Sequence, residues 1–71
     1  MQQHQQPKIL RLPAVLEATG LRRSTVFARI ANGTFPKQIK LGRGARAVGW
    51  VEGEVYDWIR SHIAASRGSH P

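Results

Sequence analysis

Apolar positions recur at helical spacing in two short segments of the chain. Pro13 suits the first turn of a helix and Gly20 suits a left-handed C-cap, which together predict a first helix over residues 13–19. Further apolar residues lie three and four positions apart before Gly33, and they predict a second helix over residues 23–32. Two short helices joined by a turn that contains glycine have the layout of a helix-turn-helix.

The pattern changes to an alternation of polar and apolar residues after the second helix. Residues 38–41 alternate, residues 42–44 are Gly-Arg-Gly and favour a turn, and residues 47–51 resume extended character, which predicts a two-stranded hairpin. A third helix is predicted over residues 52–63 by a stripe that we expect to face the core, formed by Val51, Val55, Trp58, Ile59 and Ile63. A basic hairpin beside a helix-turn-helix is called a wing. The predicted fold class is therefore mainly α with a small β-hairpin, a winged helix-turn-helix of three helices and a two-stranded wing.

The chain is long enough for one small domain. Its 71 residues, of which 41% are hydrophobic, bury a modest core. We assign the domain to residues 9–63, after a Gln-rich arm over residues 1–8 that is mobile or a loose edge strand, and before a frayed tail over residues 64–71. The chain has no cysteine, no apolar signal segment at its start and no run long enough to cross a membrane, so we expect a cytoplasmic protein.

The residue types give little support to catalysis or to a bound cofactor. Ser and Thr residues lack a His and carboxylate partner at a recognisable spacing, and the glycines of residues 42–44 lack the Lys-Ser/Thr of a P-loop. Two of the three histidines lie in the expected tails and His62 lies beside the apolar stripe, which makes a poor metal set. Trp50 and Trp58 fit a buried core better than base-stacking platforms. We therefore expect no enzyme activity, metal or cofactor.

Charge is the most informative part of the composition, because basic and acidic residues are segregated along the chain. Eleven Lys and Arg residues against four Asp and Glu residues give a formal net charge of +7. No acidic residue occurs from Ala18 to Val51, where seven basic residues fall: Arg22, Arg23, Arg29, Lys37, Lys40, Arg43 and Arg46. A solvated surface is the ordinary explanation of a charge run. An acid-free stretch this long in so small a domain favours a nucleic acid as the partner.

The second helix has a small, polar and basic face opposite its apolar one. On a helical wheel this outward face consists of Thr25, Ala28, Arg29 and Asn32. Arg can grip guanine, Asn can pair with adenine, and an Ala or Thr methyl can meet a thymine methyl, as a reader of the major groove requires. The same face could simply be solvated, but the start of the helix favours contact with phosphates through Arg22, Arg23 and Ser24. Four cations of the wing are expected to contact the DNA backbone or the minor groove: Lys37, Lys40, Arg43 and Arg46.

Three motifs between Leu10 and Ile59 carry a family resemblance: GLRRSTVFARI, FPKQIKLG, and ARAVGW followed by EGEVYDWI. In these motifs the chain resembles the AlpA family of phage and prophage regulators, whose fold is similar to the winged helix-turn-helix of MerR-type and excisionase domains. The resemblance implies a small protein of a mobile element that binds double-stranded DNA in the bacterial nucleoid. It also implies activation of transcription, often of an integrase gene, or DNA bending as an excisionase-type directionality factor.

The resemblance assigns roles to individual residues. The RSTVFARI stretch would be the recognition helix, which gives the DNA role to Arg23, Ser24, Thr25 and Arg29, and FPKQIKLGRGAR would be the wing. Two positions depart from the family pattern. Arg22 stands where such sequences usually have a Ser N-cap, and Phe27 stands where they usually have Tyr. The lost cap costs about 1 kcal/mol of helix stability, which a cation near phosphate could offset in the complex.

Three further questions stay open. An interaction module, such as an antirepressor or recruitment factor, would bind an integrase or RNA polymerase through the acids of helix three, Glu52, Glu54 and Asp57, although these also stabilise a helix start. The basic charge alone allows an RNA binder, but the sequence lacks the exposed aromatic pairs of RNA-reading sheets. One such domain has a short footprint, so we expect cooperative side-by-side binding of several copies on repeated sites.

Overall fold

The predicted fold class is confirmed. The computed structural model describes residues 7–44 and 46–68, and within them the chain is mainly helical with a small antiparallel sheet, which is compatible with a winged helix-turn-helix. The elements follow in the order β1 (Ile9–Leu10), α1 (Leu12–Thr19), α2 (Arg23–Ala31), β2 (Ile39–Lys40), β3 (Val48–Val51) and α3 (Glu52–Gly68). None of the helices in these two ranges is long and apolar enough to cross a membrane.

The predicted wing is present, and a third strand extends it. Strands β2 and β3 pair antiparallel, and the N–H of Leu41 donates to the carbonyl oxygen of Ala47 at 3.0 Å beside their turn. Strand β1 pairs antiparallel with the other edge of β3, which gives the order β1-β3-β2. The carbonyl oxygen of Lys8 accepts a hydrogen bond from the N–H of Glu52 at 2.7 Å, which ties β1 to the start of α3. Most of the predicted arm, residues 1–6, lies outside the described part of the chain.

Glycines end the first two helices, as their positions in the sequence predict. Gly20 has a φ of 74°, and its N–H donates to the carbonyl oxygen of Leu16 at 2.8 Å. Gly33 has a φ of 80° and ends α2 in a Schellman motif, in which its N–H and that of Thr34 donate to the last turn of the helix. Helix α2 ends at Ala31, one residue before the predicted end.

The core takes one residue from each of the three helices, one from the central strand and one from the loop after α2. Its five fully packed side chains come from α1, α2, the α2–β2 loop, β3 and α3: Val15, Val26, Phe35, Trp50 and Val55. Trp50 is wholly buried, and its indole Nε1–H donates to the carbonyl oxygen of Pro36 at 3.1 Å. The predicted core role of Trp50 is therefore correct, and Trp58 packs against the same cluster while staying partly exposed.

Helix α3 is longer than predicted, and its apolar stripe is buried over a shorter distance. It continues to Gly68, so residues 64–68 of the expected tail are helical and exposed, while residues 69–71 lie outside the described part of the chain. The expectation that Ile63 faces the core was wrong, because its side chain is 47% exposed. Every described residue from 60 onward is exposed, since the helix extends past the elements that cover its first half.

Replacing Gly49 by Ala is expected to lower the free energy of unfolding by about 1–3 kcal/mol through overpacking. A Cβ at this position of β3 would overlap the Ile9 side chain and lie 3.2 Å from the carbonyl oxygen of Leu10. Gly53→Ala is the matched control, because nothing lies within 4 Å of its added Cβ. Urea unfolding measures both. Equal stability of the two variants would contradict the tight contact between β1 and β3.

Candidate nucleic-acid interface

The start of α2 is an exposed, uncapped helix end that carries positive charge. Arg22 occupies the N-cap position in an extended conformation, and its side chain makes no capping hydrogen bond, as expected from the missing Ser. The first N–H to reach a backbone acceptor is that of Val26, which donates to the carbonyl oxygen of Arg22 at 3.0 Å. Arg23 and Ser24 are exposed beside the unpaired N–H groups of this turn. The arrangement supplies hydrogen-bond donors and positive charge in one place, as an anion site requires.

Arg23 does not extend freely from the helix. Its guanidinium carbon lies 5.7 Å from the ring centroid of Phe27, one turn further along α2. Phe27 in turn meets Trp50 edge to face, with the ring centroids 6.1 Å apart. The aromatic ring at position 27 therefore connects a surface cation to the core, and this contact needs no hydroxyl.

The predicted outward face of α2 is only partly outward. Ala28 and Asn32 are exposed, whereas Thr25 and Arg29 are half-buried. Asn32 lies at the C-cap, where its Oδ1 accepts hydrogen bonds from the Thr34 hydroxyl at 2.6 Å and from the Thr34 N–H at 3.2 Å. A bidentate pair with adenine uses both the oxygen and the nitrogen of the amide. Asn32 would have to leave this turn to form one.

Arg29 lies against α3. Its guanidinium carbon is 5.7 Å from the ring centroid of Trp58. A residue predicted to contact DNA therefore lies against a residue predicted to belong to the core. The Trp58 ring also stacks on His62, with centroids 4.6 Å apart. The spacing of Trp58 and His62, four residues apart on one helix, was the available sequence signal for their stacking. No comparable signal exists for the contact between Arg29 and Trp58, because it joins two helices that are distant in sequence.

The four wing cations, Lys37, Lys40, Arg43 and Arg46, are all exposed. Arg43 lies in the turn between β2 and β3, where Gly44 adopts a φ of 53°, and residue 45 lies outside the described part of the chain. The wing and α2 meet through Trp50, which belongs to β3 and contacts Phe27 of α2. The core thus fixes the two basic elements relative to each other.

The cations of α2 and of the wing have no acidic partner in the part of the chain that the structure describes. Within residues 7–44 and 46–68 two ion pairs form, Lys8 with Glu52 at 4.0 Å and Arg60 with Asp57. Neither pair uses a cation of α2 or of the wing. No described carboxylate therefore neutralises any of the seven basic residues of the acid-free stretch.

A second surface feature is a groove that carries acidic side chains instead of basic ones. An open groove of about 560 Å³ separates the loop after α2 from the first half of α3. Its lining includes Phe35, Pro36, Trp58, Glu54 and Asp57, so it combines an aromatic wall with two carboxylates. In the described part of the chain no group of three or more His, Cys, Asp or Glu side chains could hold a metal ion.

Comparisons with known proteins agree with this arrangement. The model of the family described as prophage CP4-57 regulatory protein (AlpA) matches residues 8–63. The chain is 40% identical over 58 residues to the DNA-binding transcriptional activator AlpA of Escherichia coli K12, a match that covers 73% of this chain and 80% of that protein. It is 39% identical over 62 residues to the uncharacterized protein ORF88 of Enterobacteria phage P4, covering 87% of this chain and 68% of that protein. The predicted resemblance is confirmed, and this chain belongs to the AlpA family of prophage regulatory proteins.

Proposed function

We propose that this protein binds double-stranded DNA through α2 and the wing and regulates a mobile genetic element without catalysing a reaction. The observation that carries the proposal is that seven cations on these two elements have no acidic partner within the described part of the chain. The relative in E. coli is named a DNA-binding transcriptional activator, which supports the same role here. Phosphate oxygens are the groups that an exposed, unpaired Arg or Lys binds most strongly on DNA.

The two elements divide the work in this proposal. The uncapped start of α2 holds a phosphate through Arg22, Arg23, Ser24 and the free N–H groups, and so sets the register of the helix. The exposed wing cations add affinity along the backbone or in the minor groove. Thr25, Ala28 and Arg29 are the candidates for reading bases, with Asn32 restricted by its hydrogen bonds to Thr34.

At the level of the mobile element, we propose two uses of this binding. The protein activates transcription of integrase or excision genes, or it bends DNA as an excisionase-type directionality factor. One domain inserts one helix, so several copies bound side by side would supply the length of site that specificity requires. An integrase or RNA polymerase is the proposed protein partner in these settings.

The groove beside α3 favours a second candidate function, recruitment of a partner protein. Glu54 has no ion pair within residues 7–44 and 46–68, and it lines the groove together with Asp57 and Trp58. Carboxylates beside an aromatic wall suit a cationic side chain of a partner. Three of the four acids of the chain are on α3, and this candidate uses them as a contact surface for a cationic partner.

Binding should depend steeply on salt, with log K falling against log salt concentration at a slope of about −5 if five or six phosphates are neutralised.

Arg22→Ser is expected to reduce the size of that slope by about 0.9, because one phosphate contact is lost. The same change should raise the free energy of unfolding by about 1 kcal/mol, since Ser caps α2. Titrations at several KCl concentrations and urea unfolding measure the two effects. Arg22→Ala is the control that removes the charge without adding the cap.

A charge reversal at the start of α2 separates the two candidate functions. Arg23→Glu should weaken DNA binding by more than about tenfold, because a carboxylate then faces phosphate. The helix should persist, since an acid in the first turn is favourable. Arg60→Glu is the matched control, with the same change in net charge on α3, and should leave affinity nearly unchanged. Equal losses in both variants would show that net charge, not this interface, controls binding.

Asp57→Lys should spare DNA binding and reduce only output that depends on a partner protein.

A footprint across the element's integrase promoter and attachment site, at two salt concentrations, distinguishes the two proposed uses. Protection of repeated sites in the attachment arm, with hypersensitive positions between them, is the expected result for a directionality factor. Protection confined to the region upstream of the promoter is expected for an activator. On a fragment with several sites the binding curve should steepen, and a Hill slope of one there would contradict side-by-side cooperation.

A further inference from the structure

The side chain of Arg29 is held by an aromatic ring instead of by an acid. Its guanidinium lies over Trp58, and no acidic side chain pairs with it in the described part of the chain. Arg29 is half-buried, so its aliphatic stem packs while its charge stays unneutralised. A carboxylate partner would have competed with DNA for this cation, whereas a ring orients the guanidinium without cancelling its charge.

The ring itself is fixed from several sides. Trp58 Nε1–H donates to the carbonyl oxygen of Thr34 at 2.7 Å, directly after the Schellman motif that ends α2. Phe35 meets the ring edge to face at 4.9 Å between centroids, and His62 stacks on it with an interplanar angle of 13°. A side chain with its hydrogen bond made and two ring contacts has little rotational freedom left.

The same contacts lock the ring to the end of α2 that carries Arg29. The carbonyl oxygen of Arg29 accepts a hydrogen bond from the Thr34 N–H at 2.8 Å. The carbonyl oxygen of Thr34 in turn accepts the hydrogen bond from the indole N–H of Trp58. The backbone of Arg29 and the ring beneath its side chain are therefore connected through one residue. Both ends of the Arg29 side chain are positioned by the same short network.

We propose that Trp58 is a positioning residue for DNA recognition, which acts by holding the Arg29 guanidinium in the orientation that reads a base. This inference rests on the proposed function, because it concerns how α2 uses one of its cations. An Arg side chain has several rotatable bonds, and ordering them on binding lowers affinity. A side chain already ordered in the free protein avoids that loss. Bidentate recognition of guanine also depends on the direction of the guanidinium plane, whereas binding by a point charge would not depend on such a direction.

Two other roles of Trp58 make different predictions. If the ring serves only the core, its removal weakens binding through stability alone and does so whether or not Arg29 is present. If the ring withdraws Arg29 from DNA, its removal strengthens binding.

The test is a double-mutant cycle on the full chain with Arg29→Gln, Trp58→Leu and the double variant. The probe is a duplex selected by the wild-type protein from a random-sequence library, and an unselected duplex of the same length is the comparison. Trp58→Leu is expected to weaken binding to the selected duplex by about three- to thirtyfold, the range of a cation–π contact. In the Arg29→Gln background it should have no further effect. Trp58→Leu should bind the unselected duplex with nearly the same affinity as the wild-type protein.

Trp58→Phe is the conservative variant, since it keeps a ring under Arg29 and loses the indole N–H. It should recover part of the affinity that Trp58→Leu loses. Thermal unfolding of each variant identifies the temperature at which all are folded, and binding is measured below it. Repeating the selection with Trp58→Leu and with Arg29→Gln should relax preference at the same base pairs, which a loss of stability would not do.

The outcomes separate failure of this inference from failure of the proposed function. Equal weakening by Trp58→Leu with and without Arg29, relaxed preference at different base pairs, or tighter binding without the ring would each overturn the positioning role alone. If the wild-type protein selects no duplex, the DNA-binding proposal fails and this inference fails with it. If Arg29→Gln leaves affinity and preference unchanged, DNA binding stands and both the base-reading role of Arg29 and the positioning role of Trp58 are wrong.

Discussion

The indole N–H of Trp50 donates to the carbonyl oxygen of Pro36, and this hydrogen bond ties the loop after α2 to the central strand of the sheet. A domain this small hides only about 60% of its unfolded surface, so one wholly buried Trp contributes a large share of its apolar burial. An unpaired indole N–H at that depth would cost about 1–3 kcal/mol. The loop after α2 must therefore pass over the ring. Because Trp50 also contacts Phe27 and belongs to the central strand, α2 and the wing are positioned together.

This shared core allows the surface to be divided by charge. The seven cations of the acid-free stretch belong to α2, its N-cap and the wing, whereas Glu52 and Glu54 lie in the first turn of α3, where they favour the start of that helix. Both ion pairs of the described residues involve cations outside α2 and the wing. Unpaired cations close together destabilise a small domain through repulsion, and a polyanion relieves that repulsion on binding. The same arrangement therefore makes the free protein less stable and its complex with an anion tighter.

Aromatic rings take the place of acids as partners for the cations of α2. Arg23 lies over Phe27 and Arg29 lies over Trp58, each at 5.7 Å from the ring centroid. A ring attracts a cation by about 0.5–2 kcal/mol and leaves its formal charge intact. The side chains are thus ordered while their charges stay available. Helix α2 combines order and charge in this way at both of its ends, which a carboxylate partner at either position would prevent.

The features that depend on neighbours within a few residues could be predicted from the sequence. Gly20 and Gly33 end helices because only a residue without a Cβ adopts their positive φ easily. The stretch without acidic residues from Ala18 to Val51 is evident from the sequence alone. The helices, the wing and the set of basic residues in the candidate interface follow from such local signals. Three features became evident only from the tertiary packing: β1 joins the sheet, Ile63 is exposed and Arg29 lies over Trp58. Each of these depends on which distant segments meet. A two-residue strand has no periodicity to reveal it, an apolar stripe does not show where its covering elements end, and a contact between two helices is set by their packing.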